Sequence, residues 1–383
     1  MDVRAFYEFF AGGGMARAGL GPAWTCLFAN DFDEKKSASY RLNWGSRELK
    51  TADIRLLTTE DLPKAKANLA WASFPCQDLS LAGVGAGLNG ERSGTFYAFW
   101  KLMNGLIVEN RAPDLIVLEN VNGAVMSHKG RDFAAICGHF HDAGYAYGAI
   151  IVDAALFLPQ SRPRLFVIGV RKDLQIPQVL RTDFPSIWHP RALQDAVNSL
   201  PQPIKESWVW WHMAAPALRN FGFSDLIEEE PTGVAWRTKA ETRRLLALMS
   251  DVNLLKVEKA KSAGRRMVGC VYRRTRLDES GARVQRAEVR FDDLSGCLRT
   301  PAGGSSRQLL LIVEGENVKS RLISARETAR LMGLPDDYAL PENYNEAYHL
   351  TGDGVAVPAV RHIAEHLLEP ILARRSASVH AAA

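Results

Sequence analysis

Reactive side chains stand where apolar runs stop. In SFPCQDLSLAG, Ser73–Gly83, a lone cysteine, Cys76, sits directly behind Pro75, where the run NLAWASF ends and a glycine-rich loop begins. In DLIVLEN, Asp114–Asn120, an apolar run ends in a carboxylate, Glu119, and an amide. In LFLPQSRPRLFVIGV, Leu156–Val170, Arg162 and Arg164 stand two apart ahead of another apolar run. A thiol of ordinary pKa is only about 3% ionised at neutral pH, so a nucleophilic Cys76 needs positive charge or a helix N-terminus nearby. Proline fixes φ and cannot continue a ladder, which would deliver the thiol at the C-terminal edge of a sheet. Each residue also has a plain reading: Cys76 as buried filler, Glu119 as a solvated strand end, the arginines as surface charge. Jointly, a thiol, a carboxyl and guanidiniums at one sheet edge read as a reaction site.

A second group of candidates surrounds FFAGGGMARAGLG. Three glycines in a row after a strand let backbone approach a ligand closely. The spacing Gly12-x-Gly14-x-x-Arg17 lacks the third glycine of the dinucleotide fingerprint, which argues against a nicotinamide cofactor. Asp31 ends the next apolar run, 19 residues past Gly12, where a carboxylate accepting hydrogen bonds from ribose hydroxyls belongs. Phe32 beside it can cover an adenine face. A tight turn serving packing alone is the competing reading. Asp53, in TADIR, is a candidate for an adenine amino group, against a helix cap or a surface acid.

The elements that must position these residues follow an α/β pattern. VRAFYEFF, WTCLFAN, LAWASF, DLIVLEN, GAIIVDA and LFVIGV are near-continuously apolar, as strands covered on both faces are. Helical spacing fills Thr95–Glu109 and Arg131–Ala143 between them, which predicts a doubly wound, mostly parallel sheet. After about Asp183 prolines, tryptophans and then arginines replace the alternation, predicting a second, irregular module. Ser324 and Glu327 in SARETARLMG have capping-box spacing, and Val355–Leu372 predicts a last amphipathic helix.

Composition sets the outer bounds. The 383 residues are 47% hydrophobic and 23% charged, ordinary values for a soluble globular chain. No apolar run approaches the roughly 20 residues that span a bilayer, and no charged leader precedes the first strand, which predicts an intracellular, soluble protein. The five cysteines, Cys26, Cys76, Cys137, Cys270 and Cys297, are widely spaced without a CxxC pair and read as reduced thiols. CGHFH, Cys137–His141, has no second ligand pair, so no metal is expected. Net charge is +4, but Gly264–Arg290 holds eight arginines against three acids, which suits a polyanion partner or a solvated basic face.

PCQ, ENV, Q-x-R-x-R and FAGGG at this spacing resemble the cytosine C5 DNA methyltransferases. The likeness extends through RTPAGGSSRQ (Arg299–Gln308), RLISARETARLMGLPDDY (Arg321–Tyr338) and GDGVAVP (Gly352–Pro358), nearly the whole chain. It implies a Rossmann-like, S-adenosylmethionine-dependent catalytic domain over 1–184 and a smaller, irregular target-recognition domain over 185–318. Residues 319–383 would be a hinge and a C-terminal helix returning to the catalytic domain. The implied reaction is methyl transfer from S-adenosylmethionine to carbon 5 of a cytosine flipped out of a specific double-stranded DNA sequence.

By that resemblance Cys76 adds to carbon 6 of the base, Glu119 holds N3 and the exocyclic amine, and Arg164 with Arg162 binds the ring oxygen and orients the glutamate. Phe10, Gly12, Gly14 and Pro75 would line the cofactor, with Asp31 on the ribose, Phe32 against the adenine, Asp53 on its amino group and Val355 from the last motif. Glu8 would face the methionine end. Gln77, Ser80 and Arg92 belong to a loop expected to close over the flipped base. Arg265, Arg266, Arg273 and Arg274 are implied DNA contacts, as are Arg299, Ser305, Ser306 and Arg307. Gly352-Asp353-Gly354-Val355 carries an acid where the family has asparagine, which puts the cofactor contacts there in question. A cytoplasmic monomer is expected, with no membrane partner and with a cognate restriction endonuclease acting on the same site. Two other readings compete: the family's tRNA-modifying branch, whose Cys-Phe-Thr tripeptide this chain lacks, and a DNA-binding protein with a dead site.

Overall fold

A computed structural model describes residues 4–75, 94–277, 280–299 and 307–373. The chain divides into two compact units, one of Met1–Asp153, Pro163–Pro216 and Val357–Ala383, the other of Ala154–Arg162 and Ala217–Ala356.

The first unit is built on a seven-stranded sheet: β1 (Arg4–Phe9), β2 (Trp24–Asp31), β3 (Leu49–Thr51), β4 (Leu69–Ala72), β5 (Leu115–Val121), β6 (Tyr145–Asp153) and β7 (Pro163–Arg171). Their order is β3-β2-β1-β4-β5-β7-β6. The six apolar runs are six of these strands, and β3, LKT, is too short and polar to show a pattern. Strands β1 to β5 pair in parallel, whereas β7 runs antiparallel to both β5 and β6. Helices α1 (Met15–Leu20), α2 (Glu34–Trp44), α3 (Gly94–Val108) and α4 (Arg131–Asp142) lie between the strands in sequence. In α3, Phe96, Phe99, Trp100, Met103 and Leu106 recur at helical spacing and are buried, with Phe99 edge-on to Phe9 of β1 at 5.3 Å.

The tryptophan-rich segment after Asp183 stays with the first unit up to Pro216, which moves the expected boundary at 184/185. The reason is an unpaired sheet edge: β6 is the last strand, and its backbone needs partners. The Tyr147 and Ile151 amides donate to Ser207 O (2.9 Å) and Trp188 O (2.8 Å), and Val209 N–H donates to Tyr147 O (2.7 Å). Strands β8 (Arg181–Thr182) and β9 (Trp210–Trp211) pair in this segment, and α5 (Arg191–Asn198) sends Leu193 and Val197 into the main core. A short helix, α6 (Gln202–Lys205), leads into the strand-covering turn.

The second unit is more regular than its sequence suggested. Its sheet has the order β11-β10-β12-β13, all antiparallel: β10 (Met267–Leu277), β11 (Arg283–Arg290), β12 (Leu309–Glu314) and β13 (Asn317–Leu322). Helices α7 (Lys239–Ala247) and α8 (Asp251–Lys261) cover one face, placing Leu245, Val257 and Ala260, with Met249 from the turn between them, against Val271, Val289, Leu309 and Leu311. The expected capping box opens α9 (Ala325–Arg330): Ser324 Oγ accepts from Glu327 N–H and the Glu327 carboxylate accepts from Ser324 N–H. The same carboxylate takes Arg321 bidentately at 2.5 and 2.8 Å with both side chains fully buried. Helix α10 (Tyr344–Asp353) follows.

The last helix, α11, begins at Val357 rather than Val355 and returns the chain to the first unit. It runs on through a π-helical turn, Ala364–Leu368. Helices α1 and α11 touch through Gly19: a Cβ there would lie 2.4 Å from Val360 Cβ and 2.7 Å from Val357 O. Gly19→Ala should therefore lower unfolding stability by about 1–3 kcal/mol. In urea titrations Gly19→Ala combined with Val360→Gly, which removes the Val360 Cβ itself, should lose less stability than the sum of the two single changes, and simple additivity would contradict the close contact.

Candidate active site and cofactor turn

The reversed direction of β7 brings its first residues to the edge where β5 ends. Arg164 pairs in register with Val121, and its Nε lies 3.2 Å from Glu119 Oε1. Both side chains are largely buried, at 14% and 8% exposure, so the pair works at low dielectric. The Arg164 Nη1 also donates to Pro163 O (3.0 Å), which fixes the guanidinium's approach. Beside Glu119, the Asn120 amide donates to Phe74 O (3.3 Å), tying the end of β5 to the stretch that follows β4. The described chain stops one residue later, at Pro75; Cys76, Gln77, Ser80 and Arg92 lie outside the described residues, as do Ser305 and Ser306.

Arg162, expected to act with Arg164, makes its described contacts elsewhere. It is 1% exposed, and its guanidinium donates to Leu298 O (3.2 Å), Gly352 O (2.8 Å) and Gly354 O (2.6 Å), with Cys297 Sγ at 3.3 Å. The unit boundary falls between Arg162 and Pro163, so the two arginines belong to different units. Arg162 straps the Gly352–Gly354 motif within the second unit, which also holds the buried Val355. The guanidinium's fixed fork of donors suits this bridging of carbonyls.

The glycine turn is strained and tethered. Phe10 has φ +58°, unusual for a non-glycine residue, and Gly12 and Gly14 follow at +55° and +78°. Ala11 N–H donates to Asn30 O (2.9 Å), Gly12 N–H to Asp31 Oδ2 (2.8 Å), and Trp44 Nε1–H to Gly13 O (3.0 Å). A Cβ on Gly14 would collide with the Trp44 ring at 2.3 Å, whereas one on Gly12 would meet nothing within 4 Å. The backbone above Gly12 is thus open to a ligand. Arg17 lies over the Trp44 ring at 4.9 Å and donates to Tyr40 Oη (2.9 Å); the i,i+4 spacing of Tyr40 and Trp44 on α2 was the sequence signal for this support.

Asp31 ends β2 with Oδ1 accepting from Asp33 N–H (2.9 Å) and Oδ2 from Gly12, which leaves lone pairs for hydroxyl donors. Burial raises its pKa. Phe32 next to it is 68% exposed, as a face waiting for a flat ring would be. Glu8 is buried with Oε1 accepting from Arg17 N–H (3.3 Å), while Oε2 has no hydrogen-bond partner among the described residues. Desolvation, opposed by Arg17 and reinforced by Asp31, pushes its carboxyl up to about 8. Asp53 caps the turn Ile54–Leu56 and pairs with Arg55 at 2.6 Å, and the Arg55 contact lowers its pKa. An open backbone, a ribose-side acceptor, an exposed ring and an unsatisfied buried carboxyl fit a nucleoside with a cationic tail.

Among the expected DNA contacts in the second unit, Arg265 and Arg299 are exposed, and Arg266 pairs with Glu229 (2.5 Å) and Glu314 (3.5 Å). Arg307 bonds Asn345 and lies 5.8 Å from the Tyr344 ring. Arg273 and Arg274 sit on β10, the first half-buried and the second exposed.

Comparison with known proteins agrees with this geometry. The family described as C-5 cytosine-specific DNA methylase matches residues 4–369. The type II methyltransferase M.BsuFI of Bacillus subtilis is 26% identical over 372 residues, covering 96% of this chain and 73% of its own length. M.HpaII of Haemophilus parainfluenzae is 25% identical, covering 96% and 89%. In fold, the Entamoeba histolytica methyltransferase EhMeth superposes with a TM-score of 0.64 at 14% identity, covering 97% of this chain and 99% of its own. The Dnmt2 methyltransferase of S. pombe gives 0.57 at 20%, covering 96% and 99%. A family match that starts at the first residue of β1 and ends within the last helix leaves little of the chain unassigned: it belongs to the C-5 cytosine-specific DNA methylases and is a DNA (cytosine-5-)-methyltransferase.

Proposed function

We propose that the chain methylates carbon 5 of a cytosine flipped out of a specific sequence in double-stranded DNA, through a covalent adduct between Cys76 and carbon 6. The observation that carries this reading is the Glu119–Arg164 pair at the end of β5, with Asn120 fastening the stretch that leads to Cys76. Carbon 5 of cytosine is a poor nucleophile until the Cys76 thiolate adds at carbon 6 and the ring electrons move to carbon 5. Glu119 would hold the base by N3 and the exocyclic amine, and Arg164, paired with Glu119, would donate to the ring oxygen. S-adenosylmethionine, when bound, supplies the methyl group as an electrophile on its sulfonium. Gly12, Asp31, Phe32 and Glu8 would hold it by backbone approach, ribose hydrogen bonds, adenine cover and the charge of its amino acid tail. After transfer the carbon 5 proton leaves and the carbon 6–sulfur bond breaks, returning Cys76. The target atom is inaccessible inside a duplex, so the base must leave the stack.

The type II relatives suggest a protective role beside an endonuclease that cuts the same sequence, with the chain, bacterial or phage-encoded, acting in the cytoplasm on nucleoid-associated DNA. No described helix is long and apolar enough to cross a membrane.

Labelled S-adenosylmethionine offered with mixed duplex DNA and, separately, tRNA tests the substrate; label in tRNA with none in DNA would sink the reading. Cys76→Ser should abolish transfer while cofactor binding persists. In duplexes carrying 5-fluorocytosine, where carbon 5 has no proton to lose, the native chain should form a complex that survives denaturing electrophoresis, and Cys76→Ser should not. Glu119→Gln should lower kcat by on the order of 10²–10³ with the fold intact. Glu8 gives a pH test on the free chain. Its folded pKa of about 8 lies above the ordinary 4.5, so the folded state keeps a proton that the unfolded chain has lost. The associated stability is complete below about pH 4.5 and is lost as pH rises through 8, by on the order of a few kcal/mol. Glu8→Gln should flatten denaturation midpoints across that window; an unchanged pH slope would show that Glu8 is not the group responsible.

A further inference from the structure

The β10–β11 ribbon continues beyond the helices that cover its base. Val271, Ala287 and Val289 are buried with α7 and α8 residues, but Arg274–Leu277 on one strand and Arg283, Gln285 and Arg286 on the other are exposed. Directly paired residues of antiparallel strands share a face, so the register sorts the exposed side chains into two sets. One face carries Arg274↔Arg286 and Arg276↔Val284, next to Tyr272↔Glu288; the other carries Thr275↔Gln285 and Leu277↔Arg283.

The two faces differ in chemistry. On the first, Glu288 meets Arg276 at 2.6 Å and Arg274 at 3.5 Å; among the described residues of that face it is the one carboxylate beside Arg274, Arg276 and Arg286, Asp278 and Glu279 lying outside the described residues. Arg274 and Arg286 stand directly opposite each other, and like charges so placed destabilise a ladder. A polyanion relieves that repulsion. The second face has the residue types that read base edges: arginine for guanine, glutamine for adenine, and threonine methyl or leucine for the thymine methyl, Leu277 being 69% exposed.

We infer that this ribbon enters the DNA major groove tilted, with Thr275, Gln285 and Arg283 on base edges and Arg274, Arg276 and Arg286 on the phosphates of one strand. The inference rests on the DNA reading above. Four extended residues from Arg274 to Leu277 reach about 14 Å, enough to cross a major groove roughly 8.5 Å deep and 12 Å wide, which admits a two-stranded ribbon. The face divided this way is the recognition element that the arginine count alone could not resolve.

Two variant sets separate the faces. Arg274→Gln, Arg276→Gln and Arg286→Gln combined should weaken binding to mixed-sequence duplex and lower the slope of log affinity against log salt by about 2–3, with the methylated sequence unchanged. Gln285→Ala with Arg283→Ala should leave the slope nearly unchanged, and bisulfite sequencing of treated genomic DNA should show the methylated motif relaxed at one or two positions by at least about fivefold. Lysine at 274, 276 and 286 should restore the slope, whereas Arg283→Lys, which keeps the charge but loses the bidentate fork, should still relax the motif. An unchanged salt slope in the triple glutamine variant, or an unchanged motif in the Gln285–Arg283 variant, would overturn the assignment. Binding and its salt slope are read independently of turnover. A chain that transfers no methyl group yet shows the lowered slope would overturn the proposed activity and leave the ribbon's phosphate face standing.

Discussion

The meeting of Glu119 and Arg164 depends on one constraint, the reversal of β7. In a sheet of purely parallel strands, the ligand edge receives only strand C-termini, and a residue entering a strand lies on the far side. Because β7 runs against β5, its second residue, Arg164, comes level with Val121 and its guanidinium reaches Glu119. A pair this dry adds little net stability, since the desolvation of two ions offsets their attraction, but losing either partner leaves a buried charge unmatched. Its value is therefore in orientation. Glu119 is held in one pose, and a group so preorganised would need no rearrangement in the role proposed for it.

The two arginines of Q-x-R-x-R show how far spacing can mislead. In an extended strand, residues two apart share a face, and that rule suggested one destination for both. The rule fails here because extension begins only at Pro163. Arg162 lies in the preceding segment, where its fork closes on three carbonyls and one sulfur of the second unit. The strapped carbonyls are those of Gly352 and Gly354, which flank Asp353, so Arg162 holds in place the backbone of the motif that departs from the family's asparagine.

Much of this was legible because strong signals coincided. Continuous apolar runs marked six strands of the first sheet, and Ser324 with Glu327 marked the start of α9. The second sheet was hidden for a physical reason. A buried strand alternates or runs apolar, but the outer half of β10 and β11 has two exposed faces, so arginines fall at every parity and no period of two appears. The first unit's extension to Pro216 was hidden differently: its tryptophans cover a strand edge through backbone hydrogen bonds, which side-chain periodicity does not record. In the site, the types at Glu119, Arg164, Gly12 and Asp31 could be read directly, whereas the Arg162 strap depended on contacts with residues more than a hundred positions away.

The glycine turn carries an imbalance, a buried carboxyl at Glu8 that either a proton or a nearby positive charge would correct. Glu8 and Asp31 end neighbouring strands, both are buried, and each is shifted upward chiefly by desolvation. In the free chain a proton on Glu8 is the cheapest remedy, because it removes a charge that has no counterion at Oε2. A ligand bearing a cationic sulfonium and amine changes the comparison, since an opposite charge within a few ångströms favours the ionised carboxyl. The tethers from Asp31 and Trp44 hold the turn, with Phe10 at positive φ, in one shape. Folding thus bears the cost of placing a carboxyl where water cannot reach it, a cost that a positively charged ligand beside Glu8 would offset.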